Sequence, residues 1–127
     1  ELLERLLAPL ADAGVDLFHL STRRFWEPEF EGSELNLAGW AKKLTGKPTI
    51  AVGSVGLDGE VMNLFLEGKG AGITKLDGLI DRLERQEFDL VAVGRALLAD
   101  PAWASKIRDG RFDELIPFRP EAVQTLY

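Results

Sequence analysis

Leu90-Val91-Ala92-Val93-Gly94-Arg95-Ala96-Leu97-Leu98-Ala99-Asp100-Pro101 is the stretch whose reading decides the fold. Four apolar residues run without interruption into Gly94 and Arg95. A short apolar turn, Ala96-Leu97-Leu98, then leads to Asp100-Pro101, an N-cap residue followed by the residue favoured at the first helical position. The pattern predicts a buried parallel strand opening onto a helix N-terminus. Such a junction offers free backbone N–H groups at the positive end of a helix dipole, which suits a phosphate; Gly94 allows close approach and Arg95 supplies a bidentate cation. The same residues admit a plainer reading, in which Gly94 permits a tight turn and Arg95 makes a surface ion pair. A second strand ends in the same style, because Pro48-Thr49-Ile50-Ala51-Val52 runs into Gly53-Ser54-Val55-Gly56.

The elements around these turns follow from spacing. Leu2, Leu3, Leu6, Leu7 and Leu10 recur at helical intervals, with Pro9 expected to kink or divide the helix and Gly14 expected at its C-terminus. A strand is expected over 15–21, with its His19 packed or hydrogen-bonded. The loop 22–33, Thr-Arg-Arg-Phe-Trp-Glu-Pro-Glu-Phe-Glu-Gly-Ser, is too long and too rich in Arg and aromatic side chains for a minimal connection. Leu37, Trp40, Ala41 and Leu44 mark the next helix, with Asn36 as N-cap, Lys42 and Lys43 in the last turn and Gly46 closing it.

Asp58 is expected to cap a short helix that uses Val61, Leu64 and Phe65. The run Gly68-Lys69-Gly70-Ala71-Gly72 follows a helix and lacks a Gly-Lys-Ser/Thr ending, so it reads as a flexible connection and not as a phosphate loop. Asp77 begins a helix through Leu79, Ile80 and Leu83; a further helix runs through Trp103, Ala104 and Ile107 to Gly110; residues 111–127 form a tail.

Composition bounds the function. The 127 residues are 46% hydrophobic and 28% charged, as in a soluble globular domain. Fifteen Lys and Arg against 21 Asp and Glu leave a net charge of −6, so no broad basic surface is offered to nucleic acid or to anionic lipid. The absence of Cys excludes thiolate chemistry, disulfides and an Fe–S cluster held by this chain, and one His cannot build a histidine metal site. No apolar run reaches the length that spans a bilayer, no signal peptide is visible, and a cytoplasmic location is expected.

Alternation of helix and strand argues a parallel sheet built from βαβ units. Three strands cannot close a barrel. A complete eight-stranded α/β barrel takes about 250 residues, so the chain, which starts mid-pattern at Glu1-Leu2-Leu3, reads as the C-terminal half of a TIM (β/α)8 barrel, with residues 111–127 as its tail. In that fold phosphate is commonly bound by the loops after the seventh and eighth strands.

Three pieces together carry a family likeness: Leu10-Ala11-Asp12-Ala13-Gly14-Val15-Asp16 before a strand, Val52-Gly53-Ser54-Val55, and Val93 to Pro101. The sequence resembles the C-terminal part of the old yellow enzyme family, the FMN-dependent NAD(P)H:flavin oxidoreductases and ene-reductases. The resemblance implies that the three strands are the sixth, seventh and eighth of the barrel, and that Gly53, Ser54, Gly94 and Arg95 hold the FMN phosphate. It implies hydride transfer from NAD(P)H through FMN to a small-molecule acceptor such as an activated alkene. It also places the loop after the sixth strand beside the substrate pocket, making Arg24, Phe25 and Trp26 candidates to line it, although aromatic residues in a long loop also serve to pack that loop down.

The family's catalytic residues come from earlier strands, so none is expected here, and neither His19 nor Tyr127 matches a catalytic position. The segment between Gly56 and Asp77 is longer than the family's usual pattern. A half-barrel with two open sheet edges is expected to self-associate and to be inactive alone. Two other readings stay open: a phosphate-binding α/β barrel enzyme without flavin, such as an isomerase or aldolase, and a non-catalytic α/β assembly module.

Overall fold

A computed structural model describes residues 1–59 and 61–125, and for Val61 and Asn63 the backbone alone. Tyr127, the end of the 111–127 tail and the Val61 side chain lie outside the described residues. The elements are α1 (Leu2–Asp12), β1 (Phe18–Ser21), α2 (Leu37–Thr45), β2 (Thr49–Val52), α3 (Val61–Glu67), α4 (Asp77–Glu84), β3 (Leu90–Val91), α5 (Arg95–Ala99) and α6 (Trp103–Arg108). Two 3-10 turns, Phe112–Glu114 and Pro120–Gln124, follow. The three strands form one parallel sheet in the order β1-β2-β3, the α/β alternation that the sequence predicts. Two compact units result, residues 1–53 with 77–92, and residues 54–76 with 93–127. No helix among the described residues is long and apolar enough to cross a membrane.

The first unit holds the sheet. Its register sets Phe18, Leu20, Thr49, Ala51 and Val91 on one face. Leu7 of α1 and Ala41 of α2 pack on that face against Phe18. The opposite face carries His19, Ser21, Ile50, Val52 and Leu90, of which His19, Ser21 and Leu90 are exposed. Of the two expectations for His19, packed or hydrogen-bonded, packing does not hold, because the residue is exposed on the face away from the helical layer. Nor is the third strand buried: β3 bonds to β2 on one side only, and Leu90 is 53% exposed.

Helix α1 runs unbroken through Pro9, so that of the kink or division expected there the division does not occur. Proline removes one N–H donor, and its own carbonyl still accepts from Ala13 N (2.9 Å). Gly14, at φ +104°, ends the helix: its N–H donates to Ala11 O and that of Val15 to Leu10 O, so the last carbonyls are satisfied.

Helix α2 starts and stops where the sequence marks it. Asn36 Oδ1 accepts from Gly39 N at 2.8 Å while its Nδ2 donates to Phe25 O at 2.9 Å, and Gly46 closes the helix at φ +68°. Asn36 is buried, so Asn36→Ala strands both a helix N–H and a loop carbonyl. A loss of about 2 kcal/mol is expected in urea denaturation; a change near zero would show that water replaces both bonds.

Asp89 joins the starts of two strands. Its Oδ2 accepts from Thr49 N (2.9 Å) and its Oδ1 from Lys42 Nζ (2.8 Å). The Lys42 hydrogen bond chiefly, with the Thr49 N–H, holds its carboxyl below the usual carboxylate range. A depressed folded pKa means that this contribution is present above the unfolded value of about 3.9 and fades as pH falls through the folded one. The expected result is that Asp89→Asn destabilises the protein at pH 7 but much less at acid pH. Equal destabilisation at both would rule out the charge as the cause.

The second unit has its own core, in which Leu57, Ala71, Ala96, Ala99 and Phe118 are buried together with Trp103 packed against them. Ala71 and Phe118 exchange two backbone hydrogen bonds of 2.9 Å. A side chain at Gly70 would collide with the Phe118 carbonyl, so the glycine run is a bonded segment and not the flexible connection expected. Asp58 is also used differently: its Oδ1 accepts from Gly72 N (2.7 Å) and its N–H donates to Gly72 O, which fastens the segment across its base. Asp100, 2% exposed, accepts from Ala102 N (3.1 Å) as a cap would and pairs with Lys106 (2.8 Å), while α6 proper begins two residues after Pro101.

Candidate functional site

The turn after β2 is shaped by backbone approach. Gly53 lies at φ +148°, and a Cβ there would sit 2.7 Å from Thr22 O and 2.8 Å from Thr22 Oγ1. Thr22 is held in place because its hydroxyl donates to Val52 O (2.7 Å), and Phe25 N donates to Gly53 O (3.0 Å). Gly53 is thus glycine because the chain leaving β1 presses on it. The next residue, Ser54, adopts φ +51°, a left-handed conformation sparsely populated by residues with a Cβ and concentrated at functional sites. Gly56, at φ +72°, lies against the Trp103 indole.

Gly94 and Arg95 open α5 within the same unit as Ser54. The Gly94 carbonyl accepts from Leu97 N (3.0 Å) and Leu98 N (3.1 Å). Nothing lies within 4 Å of a Cβ built at Gly94, so the glycine faces open space. The Arg95 guanidinium is half-buried: one terminal nitrogen donates to Gly59 O at 2.5 Å, and the group lies 5.5 Å from the centre of the Phe118 ring. Ser54 Oγ donates to the same Gly59 carbonyl at 3.3 Å, so Ser54 and Arg95 converge on one oxygen.

The other terminal nitrogen of Arg95, Nη1, is buried and has no hydrogen-bond partner. No carboxylate pairs with Arg95 among the described residues. Burial draws its pKa down from the ordinary value. A desolvated guanidinium that faces a carbonyl and a ring among the described residues is costly, and an anion that accepts from both terminal nitrogens would offset that cost. The chemistry on offer is anion binding; a guanidinium this basic does not exchange protons.

The loop after β1 distributes its three candidates differently. Phe25 is 7% exposed and meets Trp26 edge-on at 5.1 Å, so it packs the loop down. Trp26 is 40% exposed, and its carbonyl accepts from Arg82 (3.1 Å). Arg24 pairs with Glu27 at 2.7 Å and walls a cleft of about 320 Å³ together with Ser21, Thr22, Arg23, Glu27 and Leu37. Neither Phe25 nor Trp26 lines that cleft. Sequence reasoning missed Arg82, since one Arg within a helix carries no spacing signal that separates a loop contact from a solvated side chain.

No family model matches the chain. The sequence is 32% identical over 114 residues to an NADH oxidase from Thermoanaerobacter brockii; the alignment covers 84% of this chain and 15% of that protein. The chain thus spans about 15% of the length of this curated relative.

Proposed function

We propose that this chain is the phosphate-holding part of an NAD(P)H-linked, FMN-dependent oxidoreductase of the old yellow enzyme kind. In this reading β1, β2 and β3 are the sixth to eighth strands of a TIM barrel, residues 1–127 are its C-terminal portion and 111–127 its tail. Two facts support the fold: a parallel sheet with helices on one face, and a second face of His19, Ser21, Ile50, Val52 and Leu90 left for other strands to cover. The similarity to an NADH oxidase supports the redox class.

One observation carries the site: the buried, unpartnered Nη1 of Arg95, beside a second terminal nitrogen that donates to the Gly59 carbonyl. A phosphate fits that donor set. Arg95 neutralises it, while N–H groups of Ser54 and Gly94 donate to its oxygens. When bound, FMN supplies the two-electron redox chemistry between NAD(P)H and a small-molecule acceptor. This chain's share is to anchor and orient, and Arg24, on the wall of the cleft in the loop after β1, belongs to the acceptor side. The protein works in the cytoplasm, and the open edges at β1 and β3 pair with further strands or with a second copy.

The test is anaerobic mixing of the FMN-loaded complete protein with NADH. Bleaching of the flavin absorption band is expected, with recovery on adding an activated alkene. A protein that retains inorganic phosphate but no flavin would replace this reading with a flavin-free phosphate-binding barrel.

A further inference from the structure

Arg82 stands on α4, yet its guanidinium serves the loop after β1. One terminal nitrogen donates to Glu34 O (3.1 Å) and the other to Trp26 O (3.1 Å). Glu87, whose side chain is 9% exposed, fixes the group at 3.1 Å, and Arg82 itself is only 14% exposed. A single fork therefore ties two carbonyls eight positions apart and closes residues 26–34 into a ring. Within that ring lie Glu27 and Glu29, which wall the cleft, and Glu27 in turn holds Arg24 at 2.7 Å. The chain of contact runs from Arg82 through the Trp26 peptide to Glu27 and then to Arg24.

We propose that Arg82 is a positioning residue for the acceptor cleft: it sets the loop that orients Arg24, without touching the acceptor. The proposal rests on the reading of this loop as the acceptor side of an oxidoreductase. Lysine separates the fork from the charge. In Arg82→Lys the ion pair with Glu87 survives, but a compact ammonium cannot hold two carbonyls in the planar fork geometry of arginine.

The experiment compares the complete FMN-loaded protein with its Arg82→Lys and Arg82→Met variants. Amide exchange at Glu27 and Glu29, whose N–H groups bond to Arg24 O and Leu35 O, should quicken by roughly tenfold in both, while Trp40 in α2 keeps its rate. The acceptor KM should rise by roughly tenfold with kcat within about twofold, and flavin should be retained as in the wild type. The melting temperature should fall further for Met, which removes both carbonyl bonds and leaves Glu87 to Arg85 at 3.5 Å, than for Lys, which keeps the closer ion pair. Unchanged exchange in the Lys variant would overturn the clamp. Faster exchange with an unchanged KM would reduce Arg82 to a structural residue and overturn the positioning role. A wild type that binds no flavin would instead sink the oxidoreductase reading, leaving the exchange rates alone to decide the clamp.

Discussion

Arg95→Ala is expected to weaken FMN binding by roughly a hundredfold while changing the stability of the ligand-free protein little. The affinity loss follows from removing a bidentate, charge-assisted contact: each such hydrogen bond contributes about 1.5–3 kcal/mol, and about 1.4 kcal/mol is a factor of ten. The small stability effect follows from two terms that oppose each other. Alanine gives up the bond to Gly59 O and the Phe118 contact, but it also removes a buried donor that has no partner. Arg95→Lys should fall between, at roughly tenfold, because a point charge still neutralises phosphate but does not span two oxygens. Quenching of flavin fluorescence on titration reads the affinity, and an Ala variant that binds as well as the wild type would remove Arg95 from the site.

Gly53→Ala is expected to be the most destabilising single substitution of a glycine in the turn after β2. At φ +148° an L-residue is strained by roughly 1–3 kcal/mol. The new methyl group would also stand 2.7 Å from the Thr22 carbonyl, a backbone atom that cannot swing aside as a side chain could. Forcing the loop away from β2 breaks the Thr22 and Phe25 bonds to Val52 O and Gly53 O as well. A total near 3 kcal/mol or more is expected, a melting-temperature drop of roughly ten degrees in a chain this size. Gly94→Ala is the control, since its Cβ would meet nothing within 4 Å. Thermal unfolding of the two variants should differ sharply; similar melting temperatures would mean that the loop after β1 yields at little cost.

Where a feature is local, the sequence carries it. Asn36 and Gly46 bracket α2 because a side-chain acceptor at one end and a left-handed residue at the other are requirements of the helix itself. The parallel order of strands follows from their alternation with helices. Features made by distant residues were not readable. Nothing near Gly70 announces that Phe118 will pair with Ala71, so a built segment looks like a flexible one. Asp58 looks like a helix cap, and only the returning chain at Gly72 shows what its carboxylate holds. Periodicity placed five leucines on one helix stripe, yet the face available to α1 is narrower, and Leu2 and Leu6 stay 82% and 62% exposed. At the candidate site, Gly94 and Arg95 stood out as a strand-end pair, but the orphaned nitrogen that makes Arg95 a phosphate candidate is a matter of three-dimensional burial.

Retention of flavin tests the phosphate anchor most directly. The complete protein is mixed with FMN, freed of excess by gel filtration, and its visible absorption is recorded beside that of Arg95→Ala. Flavin should travel with the wild type in near-equimolar amount and be lost from the variant. A wild type that emerges colourless, or a variant that holds as much flavin, would contradict the assignment of this site to FMN phosphate.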